Sequence, residues 1–413
     1  MLQSYLKLAV KVLLRRKFFT FISLFGISLT LLVLMVATAM FDAEYGPCPP
    51  ETKLDRSLGV FRARMIGPHS IRSGDPGYAL LDQTVRGLPG AEEVSLHSSP
   101  GSVTSYQGGA RVTSYLKRTD GAFWRIYEFR FLEGGPYTDE DEKSGAFVAV
   151  INEPTRRRFF GEASAVGRTL EADGQTFRVV GVVEAVPFLR TIVFSDIYVP
   201  ITTAKSDAYR KEMMGGFLAT ILAHGRSDLP GIRREFATRV TRIPMPDPKN
   251  YTTLQTSAET PFESFAGEMF DLKVQTGRAA GLLALIIGAM VLFMVLPAIN
   301  LVNLNVSRIM ERASEIGVRK AFGASRRTLV GQFVVENVLL CLVGGAIGLA
   351  LSAVALQIIA SSEIIPYARF APNYRVFLYG IGLSSLFGLL SGVYPALKMS
   401  RLHPVEALRG GSR

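Results

Sequence analysis

Four apolar runs, at 18–41, 279–304, 329–360 and 376–397, constrain this chain more tightly than any other feature of its sequence. Lipid offers no partner to backbone amides, so a segment crossing it folds as a helix, and about 20 apolar residues suffice. Each run reaches that length. The predicted fold is an α-helical membrane protein with four transmembrane helices, plus a large mixed α/β extracytoplasmic domain between the first and second.

A formal charge of +11 raises the question of nucleic acid, and its distribution answers it. Residues 42–277 carry 28 Lys and Arg against 30 Asp and Glu, whereas 1–41 carry +5 and 278–413 carry +8. The excess flanks the apolar runs: Lys7, Lys11, Arg15, Arg16 and Lys17, a 308–328 loop of net +4, and a tail with Lys398, Arg401, Arg409 and Arg413. Positively charged flanks stay in the cytoplasm. Both termini and the 308–328 loop are therefore expected inside, with 42–277 and 361–375 outside. No basic domain is left for nucleic acid.

Residues 1–17 place Leu2, Leu6, Ala9 and Leu13 on one helical face, the pattern of an interfacial amphipathic helix entering the first span. Ala37-Thr38-Ala39 resembles a leader cleavage site, but the apolar run is long and the preceding segment amphipathic, which favours a span. Cys48 and Cys341 make no disulfide framework: one falls outside the membrane and the other within the third run.

The 42–277 segment predicts mixed structure. Strands are expected at 58–65, 93–96, 147–151, 177–183, 197–199 and 217–223, and helices at 78–88 and 229–240 with Asp228 as a cap. Asp173-Gly174 predicts a hairpin turn. The layout that follows is a pair of β-α-β segments near 55–105 and 215–275, interrupted by a β-rich insertion over about 106–214.

The loop at 308–328, RIMERASEIGVRKAFGASRRT, pairs Glu315 with Arg319 at helical spacing and ends at Gly323-Ala324-Ser325, where Ser325 can cap the next helix. Within the third run, Gln332, Glu336 and Asn337 are costly in lipid unless they face other helices, and Gly344 and Gly348 have the spacing that lets helices approach, so Glu336, Asn337, Gly344 and Gly348 are expected to serve transmembrane packing or dimerisation. Glu336 reads as a packing residue rather than a proton relay, because the apolar runs hold no second acid. There is no GxxxxGK[ST], no HExxH and no GxSxG, and the four histidines lack metal-ligand spacing, so the chain is expected not to be an enzyme. Asp139–Glu142 predicts a solvated turn, lacking the alternation and glycine of a calcium loop.

ERASEIGVRKAFGASRRTLVGQFVVE at 311–336, YPALKMSRLHPVEALR at 394–409, and FVAVINEPTRRRFFG with FRVVGVV inside 147–183 together resemble the MacB/FtsX-type permeases of ABC transporters. The resemblance covers essentially the whole chain. It implies a bacterial cytoplasmic (inner) membrane location and a dimer of permeases, identical or related. Two copies of a separate ATPase subunit would dock inside, since the fused ATPase domain of MacB itself is absent from these residues. ATP and Mg would then be bound by that partner, and no cofactor by this chain. Glu315, Ile316, Arg319, Lys320 and Phe322 would form the coupling helix that meets the ATPase. A periplasmic adaptor and an outer-membrane channel are optional further partners. The expected function is to couple ATP hydrolysis to motion of the exterior domain, for export or extraction of hydrophobic or amphipathic cargo: drugs, peptides, lipids or lipoproteins. The alternatives are an FtsX-like mechanotransmitter that activates a cell-wall hydrolase, and a proton-coupled secondary transporter.

Overall fold

A computed structural model describes residues 2–15, 17–107, 110–245, 247–269, 278–311, 325–362 and 364–368, with isolated positions at 318, 322, 370 and between 378 and 389. It divides into two compact units: 1–41 with 283–361 and 370–413, and 42–282 with 362–369.

The first unit begins with α1 (Leu2–Arg15) and α2 (Lys17–Tyr45). In α1 only the basic Arg15 lies in the last turn, which suits the negative end of the helix dipole. α2 is apolar all round, so burial against one neighbour leaves Phe18, Phe21 and Phe25 exposed, as lipid-facing residues are.

In the second unit, β1 (Ser57–Val60), β2 (Ala63–Ile66), β3 (Ile71–Gly74), α3 (Tyr78–Val85) and β4 (Ala91–Ser98) come first. Then follow β5 (Gly101–Gln107), β6 (Ala110–Thr119), α4 (Gly121–Ile126), β7 (Phe131–Gly134) and α5 (Asp139–Lys143). Next are β8 (Val148–Asn152), α6 (Glu153–Phe160), β9 (Thr169–Ala172), β10 (Gln175–Val183) and β11 (Ile197–Pro200). β12 (Phe217–Ala223), α7 (Leu229–Thr241), β13 (Thr253–Thr256) and α8 (Pro261–Met269) complete it. Among the described residues one mixed sheet runs β1-β12-β4-β6-β11-β8-β10-β7, with β5 beside β6 and β9 beside β10, and a small sheet runs β13-β2-β3.

A single register pair, His97↔Thr119, joins β4 to β6. On one side of that join, Leu58, Leu81, Leu96, Ile221 and Phe236 form a core. On the other, β8 is buried on both faces because it runs parallel to β10: Ala149 and Ile151 meet Phe177, while Val148 and Val150 meet Phe123 and Tyr198. Local chemistry sets the helix starts. Asp120 accepts from Phe123 N (3.0 Å), Asn152 from Thr155 N (2.9 Å), and Thr138 with Asp141 closes a capping box. The β9–β10 hairpin turns at Asp173 and Gly174, both at positive φ (55° and 67°), as a type I′ turn requires.

Three sequence expectations need correction. The stretch 58–65 is two strands in different sheets, not one: β1 pairs with β12, whereas β2 pairs with β13 and β3. Asp228 does not cap α7; its carboxylate accepts from Gly225 N (3.1 Å), one turn earlier. Residues 139–142 lie in α5 rather than in a solvated turn.

The first unit resumes with α9 (Arg278–Glu311), which covers the second apolar run, and ends its described helices with α10 (Arg326–Ser361), which covers the third. α2 and residues 334–361 of α10 are long and apolar enough to cross a membrane, and Ala279–Phe293 is a shorter apolar helix. The run at 376–397 and the tail at 398–413 lie almost wholly outside the described residues.

Candidate functional site

α10 presents one buried face at helical spacing: Gln332, Glu336 and Asn337, then Leu340 and Cys341, then Gly344, Gly348 and Ser352. α1 packs against this helix, and Ile27 and Leu31 of α2 meet Leu340 and Cys341 in one apolar cluster. Both glycines are required by proximity. A Cβ on Gly344 would stand 2.8 Å from Ile27 Cγ2, and one on Gly348 would stand 3.0 Å from both Leu31 Cβ and Ser28 O. The approach allows Ser28 Oγ to donate to Gly344 O at 2.9 Å, and Ser352 Oγ lies 3.6 Å from Met35 Sδ. The GxxxG spacing is thus used within the chain, against its own α2. Glu336 is 4% exposed on this face.

At the N-terminal approach to α10, Ser325 Oγ accepts from Thr328 N (3.2 Å), giving the cap expected there. Phe322 N donates to Val318 O (3.1 Å), and the Phe322 ring is 88% exposed. Glu315, Ile316, Arg319 and Lys320 lie outside the described residues.

The second unit buries full charges. Arg190 and Glu51 form an ion pair of 2.8 Å with both side chains out of solvent, and Arg190 Nη2 also donates to Gly46 O (2.7 Å). Burial raises the Glu51 carboxyl above its ordinary range, and Arg190 only partly opposes this. Lys117, completely buried on β6, donates to Ser98 O (3.0 Å) and Ile192 O (2.8 Å). Burial pushes its ammonium down to about 7, against the pull of Glu51 and Asp75. Asp120 accepts from Ser95 Oγ (2.7 Å) and Leu96 N (2.8 Å), and burial raises it to about 6. His97 is held well below its ordinary value, first by burial and then by Lys117; Nε2 lies 3.1 Å from Thr220 Oγ1. Lys117 and Asp120 thereby bind the end of β4 to the end of β6, where the ladder has its single pair.

Beside this cluster a cleft of about 890 Å³ opens, with Glu51, Asp75, Ser99 and Arg190 on its polar wall and Tyr45, Phe61 and Phe265 among its apolar residues. Asp75 accepts from Ser99 Oγ (2.5 Å), and Arg62 pairs with Glu268 at 3.0 Å. The sequence carried no sign of this arrangement. Glu51 and Arg190 are 139 residues apart, and Lys117 lies in a polar run, Lys117-Arg118-Thr119, where nothing marks it as buried. No group of three or more His, Cys, Asp or Glu positioned for a metal occurs among the described residues.

Residues 20–237 match the model for the MacB-like periplasmic core domain, and residues 284–404 match that for the FtsX-like permease C-terminal domain. The chain belongs to the MacB/FtsX-type family of ABC transporter permeases. Among its relatives is the uncharacterized ABC transporter permease YknZ of Bacillus subtilis, 24% identical over 79% of this chain and 77% of that one. Another is the macrolide export ATP-binding/permease protein MacB of Bdellovibrio bacteriovorus, 28% identical over 66% of this chain and 40% of that one. The permease therefore spans most of the YknZ length and less than half of MacB. Similar solved structures are the extracellular domain of YknZ from Gram-positive bacteria (17% identity, TM-score 0.37, 48% of this chain and 98% of that one) and the periplasmic region of MacB from Actinobacillus actinomycetemcomitans (13%, 0.36, 53% and 94%). Members of this family are membrane proteins.

Proposed function

We propose that this permease transmits ATP-driven motion from a separate cytoplasmic ATPase to its exterior domain, moving hydrophobic or amphipathic cargo out of or away from the inner membrane. In this reading four helices span the bilayer with both termini inside. Two permeases, identical or related, engage two ATPase subunits that bind ATP and Mg. The carrying observation is the order of the two family matches on one chain, exterior core domain first and permease domain second.

Four features support the finer points. The 308–328 loop is net +4, as a cytoplasmic loop should be. Phe322, an almost fully exposed ring just before α10, is the kind of aromatic that anchors a protein interface; Glu315, Ile316, Arg319 and Lys320 would share that docking helix. A core built mainly from 58–96 and 217–258 and another from 116–199 support porter-like segments near 55–105 and 215–275 that carry an insertion over about 106–214, with Ile201, Tyr209 and Leu222 packing across the two. The cleft, lined by rings and carboxylates together, suits a cargo with one apolar and one polar side.

The test is purification from the native host in mild detergent. A stoichiometric ATPase with a P-loop should accompany the permease and be lost on Phe322→Asp or Glu315→Arg. No ATPase, even after crosslinking in cells, would overturn the reading.

A further inference from the structure

The methionines of the exterior unit are not spread through it. Residues 42–282 contain Met65, Met213, Met214, Met245 and Met269. Four of these five pack into one cluster with Ala63 and Leu80, although the chain brings them from positions far apart; Met269 is exposed elsewhere on α8. Met65 comes from β2, and Met213 and Met214 from the segment before β12.

That segment is fixed at its backbone. Met214 bridges Pro76, Gly77 N donates to Met213 O (2.9 Å), and Gly215 N donates to Asp75 O (3.2 Å). Gly77 permits the contact, because a Cβ there would meet the Met213 carbonyl carbon at 2.7 Å. Met65 and Met214 are nearly buried, at 4% and 6% exposure, and Met213 is half-buried. Here Met65, Met213 and Met214 line a cleft of about 550 Å³ that gives them an entry path from solvent. Arg72 and Lys211 on its rim are matched by Glu212 and Asp247, so the cleft carries no net positive charge to repel a cation.

We propose that Met65, Met213 and Met214 bind a soft monovalent metal ion, Cu(I) or Ag(I), with Met245 closing the apolar side. A thioether is neutral and polarizable and has no proton to lose, so it selects soft ions over Zn(II), Mg(II) and Ca(II), which prefer nitrogen, thiolate or oxygen ligands. It also needs no reducing compartment to stay competent, unlike a thiol outside the cytoplasm. This site is independent of the proposed ATPase coupling.

The experiment uses the full chain in detergent with Cys48→Ser, since Cys48 is an exposed free thiol that would take the metal itself. Cu(I) is offered as its bicinchoninate complex, and Ag(I) is titrated calorimetrically. One equivalent should bind, and Met65→Leu, Met213→Leu and Met214→Leu together should weaken it about tenfold or more, while Met269→Leu changes nothing. Leucine nearly conserves volume, so an unchanged thermal midpoint will show that the triple variant folds; if it does not, the three single variants read the same loss. The site is overturned by no stoichiometric binding, by equal binding of Zn(II), or by affinity that survives the methionine replacements.

Discussion

The two units solve the same problem, placing polar groups out of water, by opposite means. Along the α2–α10 seam the hydroxyls bond to backbone carbonyls, Ser28 to Gly344 O, Thr30 to Gly26 O (2.8 Å) and Thr38 to Leu34 O (2.7 Å), and the larger polar groups buried on α10 are Gln332, Glu336 and Asn337 nearer its start. Helix contact there depends on glycine, because lipid gives little hydrophobic drive and attraction must come from close backbone packing. The exterior unit instead buries Lys117, Arg190, Glu51 and Asp120. It can hold them because water outside drives its apolar cores together, and because Lys117, Arg190 and Asp120 each have two or more partners while Glu51 has Arg190. The seam is therefore sensitive to volume and the exterior junction to charge.

The largest effect should come from splitting the buried pair. Glu51→Leu leaves Arg190 charged and unmatched with no water to solvate it, and is expected to cost about 3–5 kcal/mol. Arg190→Met alone should cost a similar amount. Glu51→Leu combined with Arg190→Met should recover much of the loss, because it removes both desolvation penalties. Thermal unfolding of the four proteins in one detergent measures the cycle. Additive losses would mean that the pair is not coupled and that the exterior unit is no more charge-sensitive than the seam.

A smaller effect is expected from volume at the seam. At Gly348 the obstruction is Ser28 backbone as well as Leu31, so it cannot be relieved by a rotamer change. Gly348→Leu should destabilise by about 1–3 kcal/mol through overpacking. At Gly281 a Cβ meets nothing within 4 Å, so Gly281→Leu is the matched control and should leave the midpoint near wild type. Equal midpoints for the two leucine variants would show that the seam does not depend on close approach.

What could be read in advance follows from how far apart the cooperating residues lie. The first three apolar runs rest on composition along one continuous stretch, and β8, β10, β11, β12, the Asp173-Gly174 turn and the Ser325 cap rest on patterns within about ten residues, so the sequence displays them. The split of 58–65 was hidden because both halves are apolar enough for strand, and only their partners, β12 and β13, distinguish them. Asp228 has a capping residue's identity but finds Gly225 N instead, a choice made by a local turn that periodicity does not register. The GxxxG pair was visible, whereas its partner surface on α2, more than 300 residues away, was not. The buried ion pair, Lys117 and the methionine cluster were invisible for the same reason: each joins segments that only the sheet topology brings together.

The last expected effect concerns Lys117 and depends on pH. A buried lysine with its ammonium held down to about 7 binds fewer protons when folded than when unfolded, from about pH 7 up to its ordinary range near 10.5. Stability rises with pH wherever the unfolded state holds more protons, so Lys117 makes the folded protein gain stability above about pH 7. The neutral amine keeps two hydrogens, enough for Ser98 O and Ile192 O, so raising the pH removes the buried charge without breaking either bond. Asp120, raised to about 6, works in the opposite sense: its contribution is lost as pH rises from about 3.8 to 6, below this window. Lys117→Met is expected to be less stable at every pH, because two carbonyls lose their donor, and to lack the rise. The difference between wild type and variant should therefore widen between pH 7 and 8.5, by at most about 1.4 kcal/mol per pH unit. Thermal midpoints at several pH values check this. A constant difference would mean that Glu51 and Asp75 keep Lys117 charged, making the β4–β6 junction an ionic contact rather than a neutral one.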